Sequence, residues 1–161
     1  MKSNCEKKVA VVSKCLLGLR CRYDGEIKDY GICDLLTENN FEIIGVCPEM
    51  GIGLGVPREI IRFVKRNKKV VLIQRKSGLR LRRRLERFSL EFLQKQKRVD
   101  IFVLKSRSPS CGNGDCKVFL NMRDNGFLGY SDGVFTEICK EMFPDAEYYN
   151  EESIFSALNK S

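Results

Sequence analysis

Residues 100–112 read DIFVLKSRSPSCG, a short apolar run that breaks into a polar, proline-containing loop ending in a cysteine and a glycine. Ile101, Phe102, Val103 and Leu104 have the length and the β-branched and aromatic content of an inner parallel strand. Ser108-Pro109 stops the run, because proline has no N–H for the ladder. The segment therefore reads as a buried strand that delivers Cys111 to the carboxyl end of a sheet, where open α/β sheets bind their ligands. Two more cysteines share this setting, Cys15 after the run 9–13 and Cys47 after the run 41–46.

Outward from this strand the chain alternates β and α patterns. KKVAVVS at 7–13 reads as a first buried strand, FEIIGV at 41–46 as a second, and residues 32–39 as a helix between them. KVVLIQ at 69–74 reads as a third, hairpinned with 60–64 across Arg66-Asn67. Leu81, Leu85, Phe88 and Phe92 recur at helical spacing, which predicts an amphipathic helix crossing over right-handed into the strand at 101–104. Past Cys111, residues 113–133 are rich in Gly, Asn and Asp and read as a long loop or irregular hairpin over the site. A helix over 133–143, an edge strand at 146–149 and a helical segment at 153–158 complete the pattern. With no internal repeat or linker, the expectation is one domain over 1–161. Its fold class is α/β: a Rossmann-like three-layer sandwich with a mainly parallel sheet and the site at the strand carboxyl ends.

Eight cysteines in 161 residues could signal a disulfide framework, but such frameworks belong to small secreted domains. The opening MKSNCEKKVAVVS lacks a signal-peptide pattern, and no apolar run approaches the roughly 20 residues that span a bilayer. A cytoplasmic, reducing setting without membrane contact is expected, and the cysteines point to metal or thiol chemistry. The chain has no histidine. Any metal must therefore be held by thiolates or carboxylates, and all-thiolate ligation favours zinc or an iron-sulfur cluster. The net charge of +8 is concentrated, with twelve Lys or Arg residues and one acid between Arg62 and Arg87. Such a stripe reads either as a solvated helix face or as a polyanion surface, with tRNA as the candidate partner.

Three thiols on three strand-end loops are one fewer than a closed structural site needs. For a cubane cluster the same count leaves one iron without a protein ligand. Cys15, Cys21, Cys111 and Cys116 could instead form a closed four-thiolate site in a non-enzymatic zinc module, or the chain could store or deliver sulfur. Cys5, Cys33 and Cys139 read as structural, the latter two as small buried hydrophobes on helices. Glu49, two residues past Cys47, is placed to act as general acid or base. Ser106, Ser108 and Ser110 are candidates for orienting substrate or stabilising the Pro109 bend. The alternating Gly51, Gly53 and Gly55 are not a dinucleotide fingerprint, since the spacing is GxGxG and Val56-Pro57 follows. They read as a ligand-approaching wall or a plain turn.

SKCLLG at 13–18 with RYDG at 22–25, then CPE at 47–49, PR at 57–58, SPSCG at 108–112 and GV at 133–134 together resemble the successive motifs of the thiouracil desulfidase family. The resemblance spans most of the chain, and its motifs are specific only in combination. It implies a 4Fe-4S cluster held by Cys15, Cys47 and Cys111, with a free iron that takes sulfur from a thiolated pyrimidine. It also implies Glu49 as the proton-transferring residue, Ser108 as a catalytic or substrate-positioning hydroxyl, and non-ligand roles for Cys21 and Cys116. The substrate is then a small thiolated pyrimidine, or thiouridine within tRNA if the basic stripe holds phosphates. Oligomeric state is not set by the sequence.

Overall fold

A computed structural model describes residues 5–123 and 126–159. The buried runs become the inner strands of a parallel sheet of order β2-β1-β5-β8, formed by β1 (Lys8–Ser13), β2 (Phe41–Val46), β5 (Ile101–Val103) and β8 (Glu147–Tyr149). β1 is flanked by β2 on one side and β5 on the other, both parallel to it. Strand order reverses at β1, so the crevice beyond its carboxyl end is the topological switch point where ligands bind in this architecture.

Side-chain alternation divides the core. Ala10, Val12, Ile101 and Val103 face α1 (Ile32–Glu38) and α5 (Ser153–Leu158) through Leu36 and Ile154. Val11, Phe102 and Leu104 face α3 (Arg82–Gln94) and α4 (Val134–Met142) through Leu93, Phe135 and Cys139. The result is the expected helix–sheet–helix sandwich. On α3 the fully buried positions are Leu85, Ser89 and Leu93, with Phe88 and Phe92 packing at the flank of the apolar stripe.

A second sheet was not anticipated. β3 (Ile61–Arg66) and β4 (Lys69–Gln74) form an antiparallel hairpin whose turn residues Asn67 and Lys68 both take left-handed φ, at 48° and 64°. This hairpin joins β6 (Cys116–Phe119) and β7 (Phe127–Ser131) in the order β4-β3-β6-β7. The expected crossover from 69–74 through α3 into β5 therefore links two sheets and is not a βαβ unit of one. The 113–133 segment proves to be a hairpin, of which residues 124 and 125 lie outside the described residues. This second sheet packs its apolar face, Phe63, Leu72 and Val118, on Leu81, Leu85 and Val134.

The glycine run resolves as a turn. Residues 48–51 form the short α2 (Pro48–Gly51), and Gly53 and Gly55 follow with φ of 85° and 71°. Gly51 does approach something closely, but a Cβ there would lie 2.1 Å from the Phe88 ring, so the close partner is α3 and not a ligand. Cys33, expected to be buried, is exposed on α1, whereas Cys139 is fully buried.

Candidate active site

Beyond the carboxyl ends of β1, β2 and β5 lies a cavity of about 740 Å³. Cys15 enters it from the 3-10 turn that follows β1, Cys47 from the residue between β2 and α2, and Cys111 from the loop after β5. Each position follows a strand that ends where the parallel ladder ends, and after β2 Pro48 prevents its continuation.

Cys111 is held by its own loop and by α4. Ser108 Oγ accepts the backbone N–H of Ser110 at 3.3 Å and of Cys111 at 3.1 Å, a serine turn that folds the SPSC segment back on itself. The first N–H groups of α4, which have no partner within a helix, donate to this loop: Val134 N to the Pro109 carbonyl at 3.1 Å and Phe135 N to the Ser110 carbonyl at 2.9 Å. Thr136 Oγ1 donates to the Cys111 carbonyl at 2.9 Å. Contact this close requires Gly133, since a Cβ there would stand 2.3 Å from the Ser110 carbonyl carbon. The SPSCG and GV motifs are thus two halves of one latch.

Glu49 is buried at 7% exposure, and both its oxygens are engaged. Oε2 lies 2.7 Å from both Arg58 Nε and Arg58 Nη2, so one carboxylate oxygen is gripped by two guanidinium nitrogens. Oε1 accepts from Ser110 Oγ at 3.1 Å, and Ser110 Oγ lies 3.0 Å from Ser108 Oγ. Arg58 Nη2 also donates to the Cys21 carbonyl at 2.8 Å, and Nη1 to the Gly55 carbonyl at 3.0 Å. One guanidinium thereby ties the glutamate to two loops.

Burial pushes Cys111 up to about 12, although hydrogen bonds from Ser13 and Ser110 favour its thiolate. A hydrogen bond with Cys21, followed by burial, raises Cys47 well above an ordinary thiol. Contact with Cys15 raises Cys21 to about 11. On the opposite wall Glu151 forms an ion pair with Lys105 and accepts from Ser106 Oγ at 2.6 Å and Ser106 N at 2.9 Å. Burial opposes its ionisation, yet Lys105 and Ser106 hold its carboxyl below the ordinary range.

The sequence profile of the 2-thiouracil desulfurase family matches residues 10–152. The chain belongs to the 2-thiouracil desulfurase family. Among solved structures, the [4Fe-4S]-dependent thiouracil desulfidase TudS matches with a TM-score of 0.68 at 24% identity, covering 95% of this chain and 96% of that one. It shares the fold with this chain. Comparison with curated proteins gives no match. As a member of a desulfurase family the chain is an enzyme, and no described helix is long and apolar enough to cross a membrane.

In this desulfurase all five residues singled out by the resemblance, Cys15, Cys47, Glu49, Ser108 and Cys111, line the one cavity. Cys116 does not join them: it sits on β6 and faces a neighbouring cavity lined by Arg62 and Phe119. The closed set of Cys15, Cys21, Cys111 and Cys116 is therefore not assembled. Among the described residues no three Cys, Asp or Glu side chains are placed to hold a single metal ion. Sequence reasoning offers Ser106, Ser108 and Ser110 together and puts Ser108 first, whereas the hydroxyl that touches Glu49 is that of Ser110; the pairing of Lys105 and Ser106 with Glu151 it missed. Arg58 was visible as half of a Pro-Arg motif, but its partner, nine residues away, was not. None of the arginines of α3 lines the thiol cavity.

Proposed function

We propose that this desulfurase converts a thiolated pyrimidine of the 2-thiouracil kind to its oxo form, with a 4Fe-4S cluster on Cys15, Cys47 and Cys111. The observation that carries the reading is three thiols on three strand-end loops around one cavity, beside a buried glutamate with both oxygens oriented. The donor set fits such a cluster. It is all sulfur in a chain without histidine, and the thiols surround a space where a zinc ion would need them to converge. When bound, the cluster supplies an iron without a protein ligand, a Lewis acid with a preference for sulfur.

The chain's own residues supply the proton handling. Arg58 saturates Oε2 of Glu49, so Oε1 is the oxygen that takes a proton from the attacking water, and Ser110 aligns it. Ser108 acts one hydrogen bond behind, fixing the Ser110 hydroxyl and the Cys111 backbone. Water adds to the thiocarbonyl carbon, a carbonyl replaces it, and the sulfur leaves as sulfide. The exchange is hydrolytic and needs no electron donor. Eight free cysteines suit a reducing compartment, and we place the enzyme in the cytoplasm as one desulfidase-like domain over 1–161.

Anaerobic reconstitution with iron and sulfide, followed by addition of 2-thiouracil, tests this. A brown protein that releases sulfide and forms uracil is expected; a colourless one, or a coloured one without turnover, overturns the reading. A second reading, thiouridine within tRNA, draws on one observation. Tyr23, Glu49, Arg107 and Pro109 line both the thiol cavity and the neighbouring one, where the Arg62 guanidinium lies 4.4 Å over the Phe119 ring and Lys117 adds charge. Salt-sensitive retardation of tRNA in a gel supports that reading, and its absence removes it.

A further inference from the structure

Cys21 is a buried thiol that the proposed chemistry leaves without a task. It is 5% exposed and lines the cavity with Cys15, Cys47 and Cys111. Its carbonyl accepts from the Cys47 thiol at 3.9 Å, which sets the two residues side by side. The other buried cysteines, Cys111, Cys116 and Cys139, each pack within an apolar cluster, as a small hydrophobe does. Cys21 belongs to none of the three clusters found among the described residues. Its surroundings are thiols, the Arg58 guanidinium and backbone.

The local chain brings it there on purpose-built turns. Gly18, with φ of 78°, reverses the segment after β1, and Cys21 N donates to the Leu19 carbonyl at 3.0 Å, so the loop returns to the cavity it has just left. The Cys21 carbonyl is then held by Arg58 Nη2, the same nitrogen that reaches Glu49. Cys15 sits in the 3-10 turn after β1, Cys47 at the start of α2, and Cys111 on the loop latched to α4. Cys21 lies on an irregular loop, tied at Cys21 N to the Leu19 carbonyl, at the Tyr23 carbonyl to Arg58 N, and at its own carbonyl to the Arg58 guanidinium.

We propose that Cys21 is an exchangeable fourth ligand: its thiolate occupies the iron that Cys15, Cys47 and Cys111 leave free, until the sulfur of the substrate displaces it. The inference rests on the cluster reading above and extends it. The step is a ligand exchange without change of oxidation state. One iron–sulfur bond to Cys21 breaks, one to the substrate forms, and the proton released by the thiopyrimidine N–H is taken up by the departing thiolate. A closed resting cluster is protected from loss of its fourth iron until substrate arrives.

The test uses the full chain, anaerobically reconstituted, beside its Cys21→Ala variant. Both are titrated with ferricyanide while iron content and the electron paramagnetic resonance signal of the three-iron cluster are followed. The variant is expected to lose its fourth iron at least about tenfold faster, the size of effect that loss of a supporting metal contact produces. Cyanide should also perturb the spectrum of its reduced cluster at lower concentration than for the unmodified protein. Equal rates and equal spectral responses in two proteins that both carry four irons overturn the role of Cys21 and leave the desulfidase reading intact. An unmodified protein that binds no four-iron cluster overturns both. If the alanine variant does not fold, Cys21→Ser, close to it in size, carries the same comparison.

Discussion

Glu49 and Arg58 form a nearly dry ion pair, with side-chain exposures of 10% and 5%. Removing one member of such a pair strands the other charge, which costs about 3–5 kcal/mol. Arg58→Ala should therefore lower the melting temperature sharply, as read by thermal denaturation. Arg58→Lys, which keeps the charge but cannot reach Glu49, Cys21 and Gly55 together, should fall between. Glu49→Gln is different in kind, because the amide oxygen still accepts from Arg58 and its NH2 can donate to Ser110 Oγ, but the group cannot take a proton. We expect cluster loading to be retained, as judged by iron content, while sulfide release from 2-thiouracil drops by about 10²- to 10⁴-fold. A Glu49→Gln protein with undiminished turnover would show that the water is activated elsewhere.

At the level of elements, the site depends on the latch between the loop after β5 and the start of α4. Gly133→Ala drives a Cβ into the Ser110 carbonyl, and overpacking of this kind costs about 1–3 kcal/mol. Because the displaced atoms carry Cys111, iron content after reconstitution should fall along with the melting temperature. A second clasp holds the same loop from the far side, where Glu151 meets Lys105 and Ser106 across 45 residues of sequence or more. Its carboxyl is depressed in the folded protein relative to the ordinary 4.5, so its contribution is present above that value and is lost as the pH falls through the folded-state pKa. The melting-temperature advantage of the unmodified protein over Glu151→Gln, largest near neutrality, should shrink below pH 4.5; an advantage independent of pH would mean that Glu151 acts by packing and not by charge.

Over the whole molecule, the arginines of α3 and the thiol chemistry occupy different regions. Arg83 and Arg87 are exposed on α3, and neither lines the thiol cavity. Charge reversal at both positions should leave turnover of free 2-thiouracil unchanged, while weakening any salt-sensitive tRNA binding in a gel-shift experiment. A fall in turnover of the free base would instead tie the basic helix to the site. Two sheets share α3 and α4 as a common wall, so the same helices that close the core of the first also carry the second.

The three strands that end at Cys15, Cys47 and Cys111 were legible in the sequence, because buried parallel strands are short, continuous apolar runs and proline or glycine marks where each one stops. So were the sandwich architecture and the placing of three thiols around one cavity, which follow from strand ends lying on one edge of a parallel sheet. The family motifs were likewise readable in order along the chain. The second sheet was not, since periodicity reports that a strand has a buried face but not which sheet it joins. Nor could spacing separate Cys21 from Cys116, each a few residues past a site cysteine, until Gly18 turned one back into the cavity and β6 carried the other away. The bond from Ser110 to Glu49 spans 61 residues, and such a partner is chosen by packing, which tertiary structure alone decides.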